Sequence, residues 1–310
     1  MTLQQLHYIV AVEDTGQFSR AAQVCHVTQP TLTTMVRKLE DELGLAIFDR
    51  RTLPVRPTPE GAALLDQARV VLREADQLKA LVKEVHTGTA GTYRIGIIPT
   101  LAPYLLPLFL GRLADEHPQA RLTIDERRTS RIIKGLRAGQ LDIGILAGPV
   151  DEPDMESITL FHEPFLAYLP AGHPLLKQRR IARKEVRRMP MWVLGEGHCL
   201  REQALSICQQ PSSGGHENIQ YSTGSIETLK RLVNSGSGMT LVPELSVGLE
   251  DRHVRRFMAP EPVREVVLVV RTPFVRRKAL DALSKAIRSA VPQRLRTGTN
   301  PTEVIPMGPY

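Results

Sequence analysis

Three cysteines, Cys25, Cys199 and Cys208, carry the reactive chemistry available to this 310-residue chain. Cys199 sits in Gly195-Glu196-Gly197-His198-Cys199-Leu200-Arg201, where two glycines make a turn. Leu200, Ala204, Leu205 and Ile207 then continue at helical spacing, which places Cys199 at or near a helix N-terminus. A positive helix end, with His198 and Arg201 beside it, favours the thiolate, the nucleophilic form of the side chain. The competing reading is a small buried packing residue, which is also the expectation for Cys25 beside Val24 and Val27.

Cys208 follows Cys199 by nine residues. On one helix the rise separates their Cα atoms by ~13–14 Å and turns the side chains to opposite faces. A disulfide requires roughly 4.4–6.8 Å, so bonding demands that the segment unwind. An oxidant that made Cys199 a sulfenic acid would leave Cys208 as resolving thiol only through local refolding. The stretch from Gln209 to His216 is polar and glycine-rich, and is expected to be mobile.

The elements that must position these residues follow from periodicity. From Tyr93 onward, apolar runs (Arg94 to Ile98, Leu122 to Asp125, Leu141 to Leu146, Val266 to Val270) alternate with helical stretches at 103–116, 129–138, 226–235 and 277–290. Such alternation predicts an α/β domain with largely parallel sheets. Phe165 to Leu169 is expected as a crossing strand and Val263 to Val270 as its return. The tail after Val291, rich in proline and glycine, is expected to be mobile.

Residues 1–58 predict three short helices and a basic wing. Gly16 ends the first, Phe18 to Val24 forms the second, and His26-Val27-Thr28 makes a turn. Thr28 caps the third helix and Pro30 occupies its first turn, where a missing N–H costs nothing. Leu32, Met35 or Val36, Leu39 and Leu43 form its buried stripe, Gly44 stops it, and Phe48 to Pro57 makes the wing. This is a helix-turn-helix pattern, also met in ordinary helix clusters, whose second helix fits a DNA major groove. Candidate contacts are Gln29, Pro30, Thr31, Thr33 and Arg37, with Arg50, Arg51 and Arg56 for phosphates.

Between the two regions, Leu64, Ala68, Val71, Ala75, Leu78, Val82 and Val85 step by 4, 3, 4, 3, 4 and 3 residues. This heptad seam asks for a partner helix, or else lies on its own domain. Thr87 to Gly91 is expected as a hinge.

Net charge is +7, yet residues 1–58 hold six basic and six acidic side chains. The excess sits in residues 171–290, with 20 basic against 11 acidic, so charge is no argument for DNA binding here. An odd, small cysteine count excludes a secreted disulfide scaffold. No HxxxH or CxxC pair suggests a metal site, and no glycine-rich phosphate cradle appears. Neither a signal peptide nor a membrane-length apolar run is evident, so a soluble cytoplasmic protein without cofactor or membrane partner is expected.

Phe18-Ser19-Arg20-Ala21-Ala22, Val27-Thr28-Gln29-Pro30-Thr31-Leu32-Thr33, Lys38-Leu39-Glu40, Leu43-Gly44, Phe48-Asp49-Arg50 and Pro57-Thr58-Pro59-Glu60-Gly61 together resemble the N-terminal domain of LysR-type transcriptional regulators. Gly197-His198-Cys199-Leu200-Arg201 with Cys208, and Ile98 to Pro107, resemble the peroxide-sensing OxyR branch of that family. The resemblance implies a winged helix-turn-helix domain (1–58), a dimerising linker helix (59–86), a hinge (87–91) and a two-lobed, periplasmic-binding-protein-like α/β domain (92–293). Lobe I would be 92–163 with 268–293, lobe II 164–267, and 294–310 a tail.

The resemblance further implies that hydrogen peroxide oxidises Cys199 and that Cys208 closes the disulfide. Thr100, Thr129 and His198 would hold the peroxide; as alternatives, Thr100 caps a turn, Thr129 a helix, and His198 packs. Implied partners are double-stranded DNA with an interrupted inverted repeat, further copies of the chain (a dimer of dimers), RNA polymerase and a thiol reductant. The implied output is activation of antioxidant genes. Two other functions remain open: a LysR-type regulator sensing a metabolite between the lobes, and a cysteine-dependent peroxidase, for which residues 1–90 would have no role.

Overall fold

The computed structural model describes residues 1–187, 189–209, 221–236, 238–248, 250–296 and 302–308, with only the backbone of 79–87. Contacts divide the chain into two compact units, residues 1–86 with 137–139, and residues 87–136 with 140–310.

In the first unit, α1 (Leu3–Thr15), α2 (Phe18–Val24) and α3 (Gln29–Leu43) precede a two-stranded wing, β1 (Phe48–Asp49) and β2 (Arg56–Pro57), and then α4 (Pro59–Thr87). The helix-turn-helix is built as its local signals predict. Thr28 caps α3 by accepting from the Thr31 amide at 3.4 Å, and Gly44 ends it at φ +67°. Of the two candidates for the buried stripe, Val36 is fully buried while Met35 is half-buried. Gly61 permits the entry into α4, because a Cβ there would lie 2.1 Å from the Ile47 carbonyl oxygen.

The seam on α4 divides in two. Ala68 is buried in the unit's own core beside Leu65 and Leu72, with Leu64 and Val71 packed partly against it. Ala68 therefore serves the domain itself, and Leu64 and Val71 serve it in part, because α4 lies on α1–α3 over its first turns. Ala75 is half-buried and Leu78 is 68% exposed. The side chains of Val82 and Val85 lie outside the described residues.

The second unit contains β3 (Gly91–Ile97), α5 (Ala102–Glu116), β4 (Ala120–Glu126), α6 (Thr129–Arg137), β5 (Ile143–Gly148) and β6 (Met155–Tyr168). There follow β7 (Arg180–Ile181), α7 (Arg183–Val186), α8 (Cys199–Cys208), α9 (Ile226–Asn234), β8 (Thr240–Pro243) and β9 (Val254–Phe257). β10 (Glu261–Arg271), α10 (Arg277–Ala290), α11 (Gln293–Arg296) and β11 (Thr302–Val304) complete it. Among the described residues the strands run in the order β4-β3-β5-β10-β6-β9-β7, with β8 on β6 and β11 on β10.

β3 is parallel to β4 and β5, but β10 is antiparallel to both β5 and β6. The expectation of largely parallel sheets is thereby corrected. Two long strands crossing between lobes must run in opposite directions when one leaves and the other returns. Leu160 and Phe161 of β6 lie in the first lobe's core, while Phe165 to Leu169 enter the second. On the return, Val266 and Val267 already belong to the first core, so β10 crosses nearer Arg264 than the boundary expected at residue 268.

The tail departs from the mobile expectation. β11 pairs in parallel with Glu261–Val263, and Ile305 is 3% exposed in the second lobe's core. Burial of an isoleucine and a strand edge outweighs the proline and glycine content around them. Residues 210–220, including most of the segment expected to be mobile after Cys208, lie outside the described residues. No helix among the described residues is long and apolar enough to cross a membrane.

Candidate functional site

Both cysteines fall on α8, one at each end, and both are free thiols. His198 is the residue before the helix, and Cys199 is its first residue. α6 begins at Thr129, whose hydroxyl lies 2.9 Å from Cys199 Sγ. Thr129 belongs to the first lobe and is 1% exposed, so an almost dry hydroxyl–thiol contact joins the lobes.

Thr100 follows β3 in the loop before α5 and is likewise buried. Its hydroxyl accepts from Arg264 Nη1 at 3.1 Å, and its carbonyl from Nη2 at 3.2 Å. Arg264 in turn donates through Nε to Glu163 Oε2 at 2.8 Å, in an ion pair that is 1% and 0% exposed. The two residues are direct cross-strand partners on β10 and β6. The other Glu163 oxygen accepts the Leu245 amide at 2.8 Å. A buried charge pair survives when its remaining hydrogen-bonding positions are filled, and here they are.

Arg264 and Glu163 were not among the sequence-derived site residues. Their signal was charge set into otherwise apolar stretches of the crossing strands, Arg264 with Glu265 in Val263-Arg264-Glu265-Val266 and Glu163 in Phe161-His162-Glu163-Pro164-Phe165. Tyr104 and Glu227 were also missed as a pair: the tyrosine hydroxyl donates to Glu227 Oε1 at 2.8 Å, and burial first, then Glu227, pushes its pKa up.

The electrostatics correct one expectation. Burial pushes the Cys199 thiol up from its ordinary value, opposed by the Thr129 hydrogen bond, the helix backbone and the charge of Arg264. The basic neighbours expected to lower it act elsewhere. Burial, and then the charge of Arg128, hold His198 below the ordinary imidazole value, so it is neutral at pH 7. Arg201 donates to the Leu194 carbonyl at 2.9 Å. Cys208, with no exposed surface, is pushed up to about 12 by burial. Cys25 is half-buried and also raised by burial.

On the first unit, Gln29, Pro30, Thr31 and Arg37 are exposed on α3 and Thr33 is half-buried. The Thr31 hydroxyl is 2.8 Å from that of Thr28. The wing arginines divide by partner. Arg50 pairs with Glu40 at 2.6 Å and stacks over Phe18, and Arg51 pairs with Asp49 at 3.0 Å, whereas Arg56 is exposed on β2.

A DNA-reading helix joined to a two-lobed, binding-protein-like domain defines a ligand- or signal-responsive transcriptional regulator. Residues 3–62 match the bacterial regulatory helix-turn-helix protein family of lysR type, and residues 86–292 match the LysR substrate binding domain. The chain belongs to the LysR family of transcriptional regulators.

It is similar to the hydrogen peroxide-inducible genes activator of Pectobacterium carotovorum, with 37% identity over 292 residues, covering 93% of this chain and 96% of the relative. The DNA-binding transcriptional dual regulator OxyR of Escherichia coli is 36% identical over 293 residues, with 93% and 95% covered. Among solved structures, a full-length OxyR variant from Pseudomonas aeruginosa superposes with a TM-score of 0.79 at 37% identity, covering 94% of this chain and 99% of that one. A hydrogen-peroxide-bound OxyR variant from Corynebacterium glutamicum gives 0.62 at 27% identity, with 93% and 92% covered. These relatives are regulators rather than enzymes, and the peroxidase alternative falls.

Proposed function

We propose that this chain is a hydrogen-peroxide-sensing activator whose switch is the α8 cysteine pair. The supporting observation is the placement of Cys199 against the Thr129 hydroxyl at 2.9 Å, with Cys208 at the far end of the same helix. The Cys199 thiolate attacks one peroxide oxygen, the O–O bond breaks, and a water leaves with the proton lost by the thiol. The sulfenic acid is then attacked by Cys208, a second water departs, and a disulfide remains. One peroxide is reduced to two waters as two thiols are oxidised.

Thr129, Thr100 through Arg264, and His198 are the groups proposed to hold the peroxide. The Thr129 hydroxyl at the sulfur and the positive charge of Arg264, held in place by Thr100 and Glu163, would stabilise developing negative charge without reorganising. Closing the disulfide unwinds α8, and the changed lobes alter how paired helix-turn-helix domains engage an interrupted inverted repeat. Leu78, exposed on α4, is proposed to lie in the helix seam between copies that the heptad spacing of the sequence calls for. RNA polymerase is the proposed downstream partner, and a dithiol reductant restores the resting state.

Peptide mapping after one equivalent of peroxide tests this. A Cys199–Cys208 linkage, absent in Cys199→Ser, is expected. If no linkage forms while DNA binding responds to a small metabolite, the peroxide reading is wrong.

A further inference from the structure

We infer that Gln203 and the C-terminal segment 302–308, which begins with β11, form a latch on the cysteine helix, which sets how readily α8 unwinds to let Cys208 reach Cys199. The latch deepens the thiol-switch reading above and rests on it. Gln203 is a positioning residue here. It stands midway between the two cysteines on α8 and has no exposed surface. A fully buried glutamine in a sensor helix needs a partner, and its Nε2 donates to the Ile305 carbonyl at 2.9 Å.

The segment that supplies this carbonyl is held from several sides. The Ile305 amide donates to the Val263 carbonyl at 2.9 Å, extending the β10–β11 pairing of 261–263 with 302–304 by one bond. The Ile305 side chain enters the second lobe's core, while Met307 packs against the first lobe's core. Glu303 accepts from Arg183 at 2.8 Å. Beyond Met307, Gly308 lies over Glu202, so closely that a Cβ on it would come within 2.8 Å of Glu202 Cγ. The segment thus crosses both lobes and lies along α8 at residues 202–203.

Its anchor on β10 is one residue from Arg264, which binds Thr100. Unwinding α8 as far as residue 203 breaks the Gln203–Ile305 bond and withdraws apolar support from Ile305. Among the described residues the Gln203 Oε1 atom has no hydrogen-bond partner, so the amide is held through its Nε2 bond to Ile305 alone. Oxidation of Cys199 by peroxide does not itself require α8 to open. Closure by Cys208 does. The latch therefore acts on the second step, with the same atoms and electrons balanced as above.

The test uses the full chain with Ile305→Ala and the stronger Ile305→Asp, which places a charge in the second lobe's core. Sulfenic acid formation at Cys199 is trapped by a dione reagent in a Cys208→Ser background. Disulfide closure is followed separately by mass spectrometry after one equivalent of peroxide, and amide exchange is measured across 200–208. The expected result is sulfenic acid formation within about twofold of the parent, with closure and exchange at 200–208 accelerated severalfold, more for Asp than for Ala. Unchanged closure in both variants, with Ile305→Ala folded by its exchange elsewhere, overturns the latch. Slower closure in Ile305→Ala overturns it as well. If the parent chain itself forms neither sulfenic acid nor disulfide, it is the thiol-switch reading that fails, and exchange at 200–208 still decides whether Ile305 restrains α8.

Discussion

Thr129 Oγ1 and Cys199 Sγ are 70 residues apart in the chain and 2.9 Å apart in space, the first on α6 of one lobe and the second at the start of α8 in the other. The contact brings a side chain of the first lobe to the sulfur and favours its ionised form, beside the hydrogen bond from the helix backbone. Replacing Thr129 with valine keeps the shape and removes the hydroxyl. The Cys199 pKa should rise further, and its reaction with peroxide at pH 7 should slow ~5–30-fold, the kinetic equivalent of roughly 1–2 kcal/mol. Rates of sulfenic acid trapping between pH 6 and 9 check this, and an unchanged pH profile would remove Thr129 from the site.

Arg264 and Glu163 offer a stability prediction. Arg264→Met strands Glu163 as a buried charge and frees the Thr100 hydroxyl. A loss of about 3–5 kcal/mol is expected from breaking such a pair. The double variant with Glu163→Gln should recover part of it, because no charge is then left uncompensated. Urea midpoints of the single and double variants decide the matter; equal midpoints for parent and Arg264→Met would contradict the account.

The two cysteines of α8 should differ sharply toward thiolate-directed alkylation. Cys208 is buried and held near 12, so at pH 8 it should stay unlabelled while half-buried Cys199 reacts slowly. Because folding raises the Cys208 pKa from 9.0, the folded state binds more protons than the unfolded chain between about pH 9 and 12. Its contribution to stability is complete below pH 9 and declines across that window. Mass-spectrometric mapping of labelled peptides, and denaturation curves in the Cys208→Ala background, measure the two effects.

His198 titrates in the opposite sense. Its pKa is lowered on folding, so the folded state binds fewer protons than the unfolded chain below about pH 6.5. Acidification through that region should weaken the folded state, and Arg128→Gln should move the imidazole back toward its ordinary value. A proton NMR titration of the histidine reports it directly.

On DNA, Arg37→Ala should cost ~1–3 kcal/mol of specific binding where it reads a base edge. Arg56→Ala should lower the salt dependence with little change in sequence preference. Arg50 and Arg51 are already engaged by Glu40 and Asp49, so their alanine variants should change the salt slope less than Arg56→Ala. Footprints and affinities at several salt concentrations separate these roles.

What could be seen from the residues alone was local. Thr28, Pro30 and Gly44 delimit α3 because caps and helix stops act within one turn. Cys199 and Cys208 fall at the two ends of one helix because a glycine turn and helical apolar spacing bound that segment. Family likeness added Thr100 and Thr129 as candidates, without their partners.

Three things depended on the tertiary structure. The seam on α4 was periodic throughout, yet only packing against α1–α3 revealed that Ala68 belongs to the domain's own core. The thiol pKa moved up rather than down, because desolvation depends on how completely two lobes cover a side chain and not on its neighbours in sequence. The Arg264–Glu163 pair and the Gln203–Ile305 bond join residues about a hundred positions apart. Strand register and the crossing of β6 and β10 bring such groups together, and no short-range pattern of residues encodes that register.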